Sequence, residues 1–226
     1  MFEKMLSYSQ IEDLRRDQTM SRVGASDHER RALFPIGVID DQPFHYEQNL
    51  QANNFQVKYL GDINSIDEVS DFNIVLCDLQ GVGTRMNSKG QGAYIIDEIK
   101  RHNPEKFVVA YTGGSLDDSI TVRAQDHSDF FLKKDADIDD WRDTLDNIIR
   151  ELSDPILVWR RQRDALVEAD VPTLEILKLE DAYVKSVKQK SDQPYRAIAA
   201  KNQFSPDLRS IAQSLIASGI FRAIVG

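Results

Sequence analysis

Asn73-Ile74-Val75-Leu76-Cys77-Asp78-Leu79-Gln80-Gly81 is an apolar run that ends on a carboxylate and then turns into a loop containing glycine. A short continuous apolar run bounded by turn residues marks a strand buried on both faces, the kind a parallel sheet contains. Asp78 is thereby predicted at the strand's C-terminal tip. Ligands of open α/β sheets bind in the crevice beyond the carboxyl ends of the strands, so an acid there stands where chemistry is done. Three more runs have the same form. Phe34-Pro35-Ile36-Gly37-Val38-Ile39 ends on Asp40-Asp41, Phe107-Val108-Val109-Ala110-Tyr111 on Thr112-Gly113-Gly114, and Phe130-Phe131-Leu132 on Lys133-Lys134. Three acids, a hydroxyl and an ammonium are expected along one edge.

Between these strands the pattern changes to helical spacing. Residues 44–54 read as a helix with Pro43 near its start, and Gln56 to Leu60 as a strand of moderate exposure. Residues 62–71 have room for a turn or two. A polar loop from Gly81 to Gln91 precedes a helix that carries Ala93, Ile95, Ile96 and Ile99 and ends at Asn103-Pro104. Ser115 and Asp118 have the spacing of a capping box for a helix to about Gln125. Ile138, Trp141, Leu145, Ile148, Ile149 and Leu152 form the apolar face of a helix beginning near Asp137. Strands alternating with helices predict a doubly wound parallel sheet of five strands.

Residues 1–33 are expected to be an N-terminal extension, with Leu14 and Met20 on a short helix starting near Ser9. Residues 34–153 form the α/β domain. From 155 to 226 only helical periodicity remains, broken at Pro172, Pro194 and Pro206. Ser205-Pro206 caps a final helix with Leu208, Ile211, Ala212, Leu215, Ile216, Ile220 and Ile224 on one face.

With 226 residues the chain can bury a sizeable core. Its net charge of −9 is uneven: residues 155–226 carry 11 basic and 8 acidic side chains, against 17 and 29 in residues 1–154. That balance argues against tight nonspecific binding to DNA or an acidic membrane, and makes DNA a secondary partner. The single Cys77 excludes an internal disulfide and reads as a buried structural thiol. No run is long enough to cross a bilayer, so a cytoplasmic protein without membrane insertion is expected. Scattered His28, His45, His102 and His127 lack zinc-ligand spacing. Gly81, Gly83, Gly90 and Gly92 lack the Lys-Ser/Thr ending of a nucleotide-binding loop.

Acids on adjacent strand tips suit Mg²⁺, which takes oxygen ligands, and a carboxylate can act as a nucleophile toward phosphorus. Alone, each residue has a commoner role: Asp40 and Asp41 as a helix cap, Thr112 as a turn hydroxyl, Arg160-Arg161-Gln162-Arg163 as a solvated helix face. Together and in this order they resemble the receiver domain of response regulators. Ile39-Asp40-Asp41-Gln42-Pro43 is similar to its acidic pair, Val75-Leu76-Cys77-Asp78 to its phosphoacceptor strand, Ala110-Tyr111-Thr112-Gly113 to its switch threonine, and Phe131-Leu132-Lys133-Lys134-Asp135-Ala136 to its lysine strand. The resemblance covers about residues 34–152. The sequence departs from it in the loop after Asp78, which lacks the usual proline-containing turn, and in a short segment between Asp41 and Asp78.

The resemblance implies a flavodoxin-like fold with strand order 2-1-3-4-5. It implies a phosphoryl group accepted on Asp78 from a histidine kinase or phosphotransfer protein. Mg²⁺ would be held by Asp41, Asp78 and the main-chain carbonyl of Gln80, with Asp40 close by. Thr112 and a lysine, Lys134 in preference to Lys133, would contact the phosphoryl group, and Phe131 would be the switch aromatic. No enzymatic turnover beyond self-catalysed phosphoryl transfer and hydrolysis is expected. The output would be a changed partner, or self-association, of residues 155–226. The alternatives are a transcription factor with an atypical C-terminal DNA-binding domain, and a degenerate receiver serving as a phosphate-independent adaptor. A haloacid-dehalogenase-like phosphatase would need an aspartate where Gln80 stands.

Overall fold

The computed structural model describes residues 8–14, 26–87, 89–115 and 119–225. These fall into two compact units, one of residues 26–151 and one in which residues 8–14 join residues 152–225.

The first unit is a five-stranded sheet. Its strands are β1 (Ile36–Ile39), β2 (Val57–Tyr59), β3 (Ile74–Asp78), β4 (Phe107–Thr112) and β5 (Phe130–Lys133), all parallel in the order β2-β1-β3-β4-β5. Its helices are α1 (Asp27–Arg31), α2 (Glu47–Ala52), α3 (Gln91–His102), α4 (Ser119–His127) and α5 (Ile138–Leu152). β1, β3 and β4 are buried along their whole length, which is why they read as unbroken apolar runs rather than alternating ones. One face of the sheet buries Val75, Cys77, Val108 and Ala110 in a cluster with Ile95, Ile96 and Ile99 of α3 and Ala124 of α4. Side chains alternate along a strand, so Leu76, Asp78, Val109 and Tyr111 belong to the opposite face. There Tyr111 meets Phe44 and Trp141 of α5, with ring centroids 5.9 and 5.3 Å away.

Several elements differ from the sequence expectation. The helix expected over 44–54 is confined to Glu47–Ala52, because Phe44 turns inward and Tyr46 hydrogen-bonds the Ala136 carbonyl at 2.9 Å. Residues 66–69 make a single 3₁₀ turn capped by Ser65 and Glu68, as the turn or two expected over 62–71. The proposed capping box at Ser115 falls outside the described residues at Asp118. The expected N-terminal extension divides. Residues 26–33 belong to the sheet unit, where Ser26 and Glu29 cap α1 and Arg31 chelates Asp146 at 2.7 and 2.8 Å while lying over the Phe55 ring. Near Ser9 the structure has a 3₁₀ turn, Ile11–Asp13, in place of a helix, and Met20 lies outside the described residues.

Lys106, at the base of β4, is 1% exposed and donates to the carbonyls of Ser70 and Phe72 at 2.9 and 2.6 Å. Burial holds its pKa below the ordinary lysine value, against the opposing pull of Glu105 and Asp71. Lys106→Met leaves two carbonyls without a donor and is expected to cost about 2 kcal/mol in urea unfolding. The folded state releases this proton before the unfolded one, so the wild type's advantage grows as pH rises into the lysine range.

The second unit is helical: α6 (Pro155–Glu168), α7 (Thr173–Gln189), α8 (Gln193–Ala199), α9 (Pro206–Ala217) and α10 (Ile220–Val225). Trp159, Tyr183, Tyr195 and Phe221 pack ring against ring at its centre in tilted and edge-to-face contacts, with the Tyr183 hydroxyl donating to the Pro155 carbonyl at 2.8 Å. The single terminal helix expected from Ser205 is two. Gly219, at φ +79°, breaks it, so Leu208, Ala212 and Leu215 pack from α9 and Ile220 and Ile224 from α10. The segment from Ser9 to Leu14 straps this unit: its amides at Ser9 and Ile11 donate to Asp181 and Glu180 at 2.9 and 2.7 Å, and Ile11 and Leu14 are buried. Among the described residues, no helix is long and apolar enough to cross a membrane.

Candidate functional site

Parallel register assembles the site. Ile39 pairs with Cys77 and Asp78 with Tyr111, so Asp40, Asp78 and Tyr111 lie side by side on one face at the strand ends. Tyr111 in turn pairs with Leu132, which puts Lys134 on that face and Lys133 on the other. Lys134 donates to Asp78 Oδ2 at 2.7 Å and to Asp40 Oδ1 at 3.2 Å, with Asp40 Oδ2 in ion-pair contact at 3.0 Å. Lys133 is exposed.

Asp78 is nearly buried. Its Oδ1 accepts the amides of Leu79 and Gln80 at 2.7 and 3.3 Å, leaving Oδ2 to the lysine. Burial raises its pKa above the ordinary carboxylate value, and Asp40 adds to the rise while the Lys134 bond opposes it. For Lys134, burial works against the ammonium, but the bonds to Asp78 and Asp40 outweigh it and raise the pKa. The two directions pull differently on the pair, since burial disfavours the Asp78 carboxylate while its bonds favour the Lys134 ammonium; the 2.7 Å contact is what joins the two groups.

Asp40 is fully buried. Its Oδ1 accepts the Gln42 amide at 2.8 Å, its Oδ2 the Tyr111 hydroxyl at 2.8 Å, and its carbonyl the Tyr59 hydroxyl at 2.9 Å. Asp41 is exposed beside it. One carboxylate oxygen from each of Asp40, Asp41 and Asp78 lies within 4.8 Å of the others. That donor set, all oxygen, suits a hard divalent cation of the Mg²⁺ or Ca²⁺ kind. The loop after β3 closes on Asp41: Gly81 has φ +80°, and a Cβ there would lie 2.6 Å from the Asp41 carboxylate.

Thr112 is buried on the face opposite Asp78 at the end of β4, and its Oγ1 accepts the Gly114 amide at 3.0 Å. Phe131 is half-buried against the α3 side of the core. The Gln80 side chain lies over Gly114, where an added Cβ would stand 2.5 Å from its Nε2. Sequence reasoning passed over Tyr111 and Tyr59. A tyrosine inside an otherwise apolar central strand was the available signal, because a buried phenol hydroxyl needs a partner.

No family profile matches the chain, and no curated protein matches it. Its structural neighbours are response regulator receiver domains. The CheY-like receiver domain protein from Methanospirillum hungatei is 16% identical, at a TM-score of 0.43, over 53% of this chain and 95% of that one. A response regulator from Burkholderia pseudomallei, solved with a phosphorylated aspartic acid, calcium ion and citrate, is 18% identical at 0.39, over 61% and 86%. The complex of the histidine kinase ThkA with the response regulator TrrA matches at 15% identity and 0.39, over 51% and 97%.

Proposed function

We propose that this protein is a response regulator that accepts a phosphoryl group on Asp78 from a histidine kinase or phosphotransfer protein. The supporting observation is the Lys134 ammonium shared between Asp78 and Asp40 beside the exposed Asp41. A carboxylate oxygen of Asp78 attacks phosphorus and forms an acyl phosphate, displacing the donor's leaving group. The residues that would hold Mg²⁺ are Asp41, Asp78 and the main-chain carbonyl of Gln80, with Asp40 close by. A bound Mg²⁺ would supply compensation for the charge on the phosphoryl oxygens. Lys134 would bond those oxygens directly, and Thr112, which lies on the opposite face with its Oγ1 accepting the Gly114 amide, would have to turn toward them, Thr112 and Phe131 shifting together as the switch. Phosphorylation converts a singly charged carboxylate into an acyl phosphate carrying nearly two negative charges, a net gain of about one at a site already holding three acids, and such a local change of charge and bulk biases a two-state element. Residues 155–226 then change partner or self-associate, and the protein has no turnover beyond phosphoryl transfer to and from its own aspartate.

The test is uptake of beryllofluoride, followed by fluorine NMR, with molecular mass in solution measured alongside. The wild type is expected to bind it with Mg²⁺ and not without. A folded protein that binds none would sink this reading.

A further inference from the structure

We propose that Tyr111 is a positioning residue of the acid site, its hydroxyl holding Asp40 as an aimed carboxylate while Lys134 is engaged elsewhere. The inference rests on the receiver reading for the use of the site, and on this chain's own geometry for the role. Asp40 is 0% exposed, and a buried carboxylate is costly unless it is bonded. Its carboxylate has three donors in contact: the main-chain amide of Gln42, the Tyr111 hydroxyl and the Lys134 ammonium. The ammonium is shared, and its shorter bond, 2.7 Å, goes to Asp78. A phosphoryl group on Asp78 would bring further oxygens to Lys134, and Asp40 would then keep only the amide and the phenol. Because the amide is on Oδ1 and the phenol on Oδ2, the pair fixes the plane of the carboxylate as well as its charge.

Tyr111 is built to stay in place. It is fully buried, Phe44 and Trp141 enclose its ring, and the Lys134 ammonium lies 5.7 Å from the ring centroid. Phenylalanine would fill the same space between the same neighbours, so packing does not call for the hydroxyl. Tyr111 also directly precedes Thr112. The strand that presents the switch hydroxyl on one face therefore grips a metal-site acid on the other.

Tyr111→Phe in the full chain keeps the ring and removes one hydrogen bond to Asp40. By calorimetric titration its Mg²⁺ affinity is expected to fall about tenfold, the usual effect of losing a group that orients a ligand. The loss is expected to vanish when Asp40→Asn is already present, since Tyr111 acts through that carboxylate. In metal-free urea unfolding the same two substitutions are expected to be non-additive. Unchanged Mg²⁺ affinity in Tyr111→Phe beside normal wild-type binding would overturn this inference alone. So would an equal loss in both backgrounds, which would mark a packing effect. A folded wild type that binds neither Mg²⁺ nor beryllofluoride would overturn the receiver reading, and this role with it.

Discussion

An Asp78→Asn protein is expected to gain no phosphoryl mass when treated with a small phosphoryl donor and Mg²⁺, while the wild type gains one phosphoryl group. The carboxamide keeps the Oδ1 acceptor for the Leu79 and Gln80 amides, so the tip of β3 stays closed. It replaces the oxygen that Lys134 contacts at 2.7 Å with a group that cannot attack phosphorus. Its effect on stability is small because two contributions oppose. The ion pair with Lys134 is lost, and so is the repulsion of a buried acid by Asp40. We expect a change within about 1 kcal/mol in urea unfolding. Intact-protein mass spectrometry decides the matter, and a labelled Asp78→Asn protein would place the acceptor elsewhere. Lys134→Ala provides the complementary result: it leaves the nucleophile in place, so labelling is slowed rather than abolished.

The strand tips were legible in the sequence because a strand buried on both faces has to be apolar throughout and can admit polar groups only where it ends. Asp40, Asp78 and Thr112 all sit at such ends. In the sequence, only spacing and the residues that follow bear on the choice between Lys133 and Lys134. Its physical basis is the pairing of Tyr111 with Leu132, a long-range register that no local window contains. Tyr111 was overlooked for a related reason. As one more large residue in Phe107–Thr112 it satisfied the apolar pattern, and only the third dimension shows where its hydroxyl goes. The strap from Ser9 to Leu14 was hidden differently. Glu180 and Asp181, which hold its amides, are about 170 residues away in the chain.

Gly92→Ala is expected to be the most damaging single-methyl addition near the site. Gly92 stands in the first turn of α3 against the end of β3, and a Cβ there would lie 2.1 Å from the Asp78 carbonyl oxygen and 2.7 Å from Leu79 Cα. Every close atom is backbone, so no side chain can rotate away. Either the helix lifts or the tip of β3 moves. Both lie within a buried layer where Cys77, Leu79, Ala93, Ile95 and Ile96 are fully covered, and such layers resist added volume. A loss of about 3 kcal/mol is expected from overpacking. In a chain of this length that lowers the thermal midpoint by roughly 6–12 °C. Gly113→Ala is the internal control, because its Cβ would meet only Lys134 carbons at 3.9 Å, and its stability should stay within about 0.5 kcal/mol of wild type. The two variants also separate stability from function. To the extent that the tip of β3 yields, the backbone that carries Asp78 is displaced, and phosphoryl uptake is expected to fall even at temperatures where Gly92→Ala remains folded. If it melted and labelled like wild type, close approach of α3 to β3 would not be what fixes Asp78.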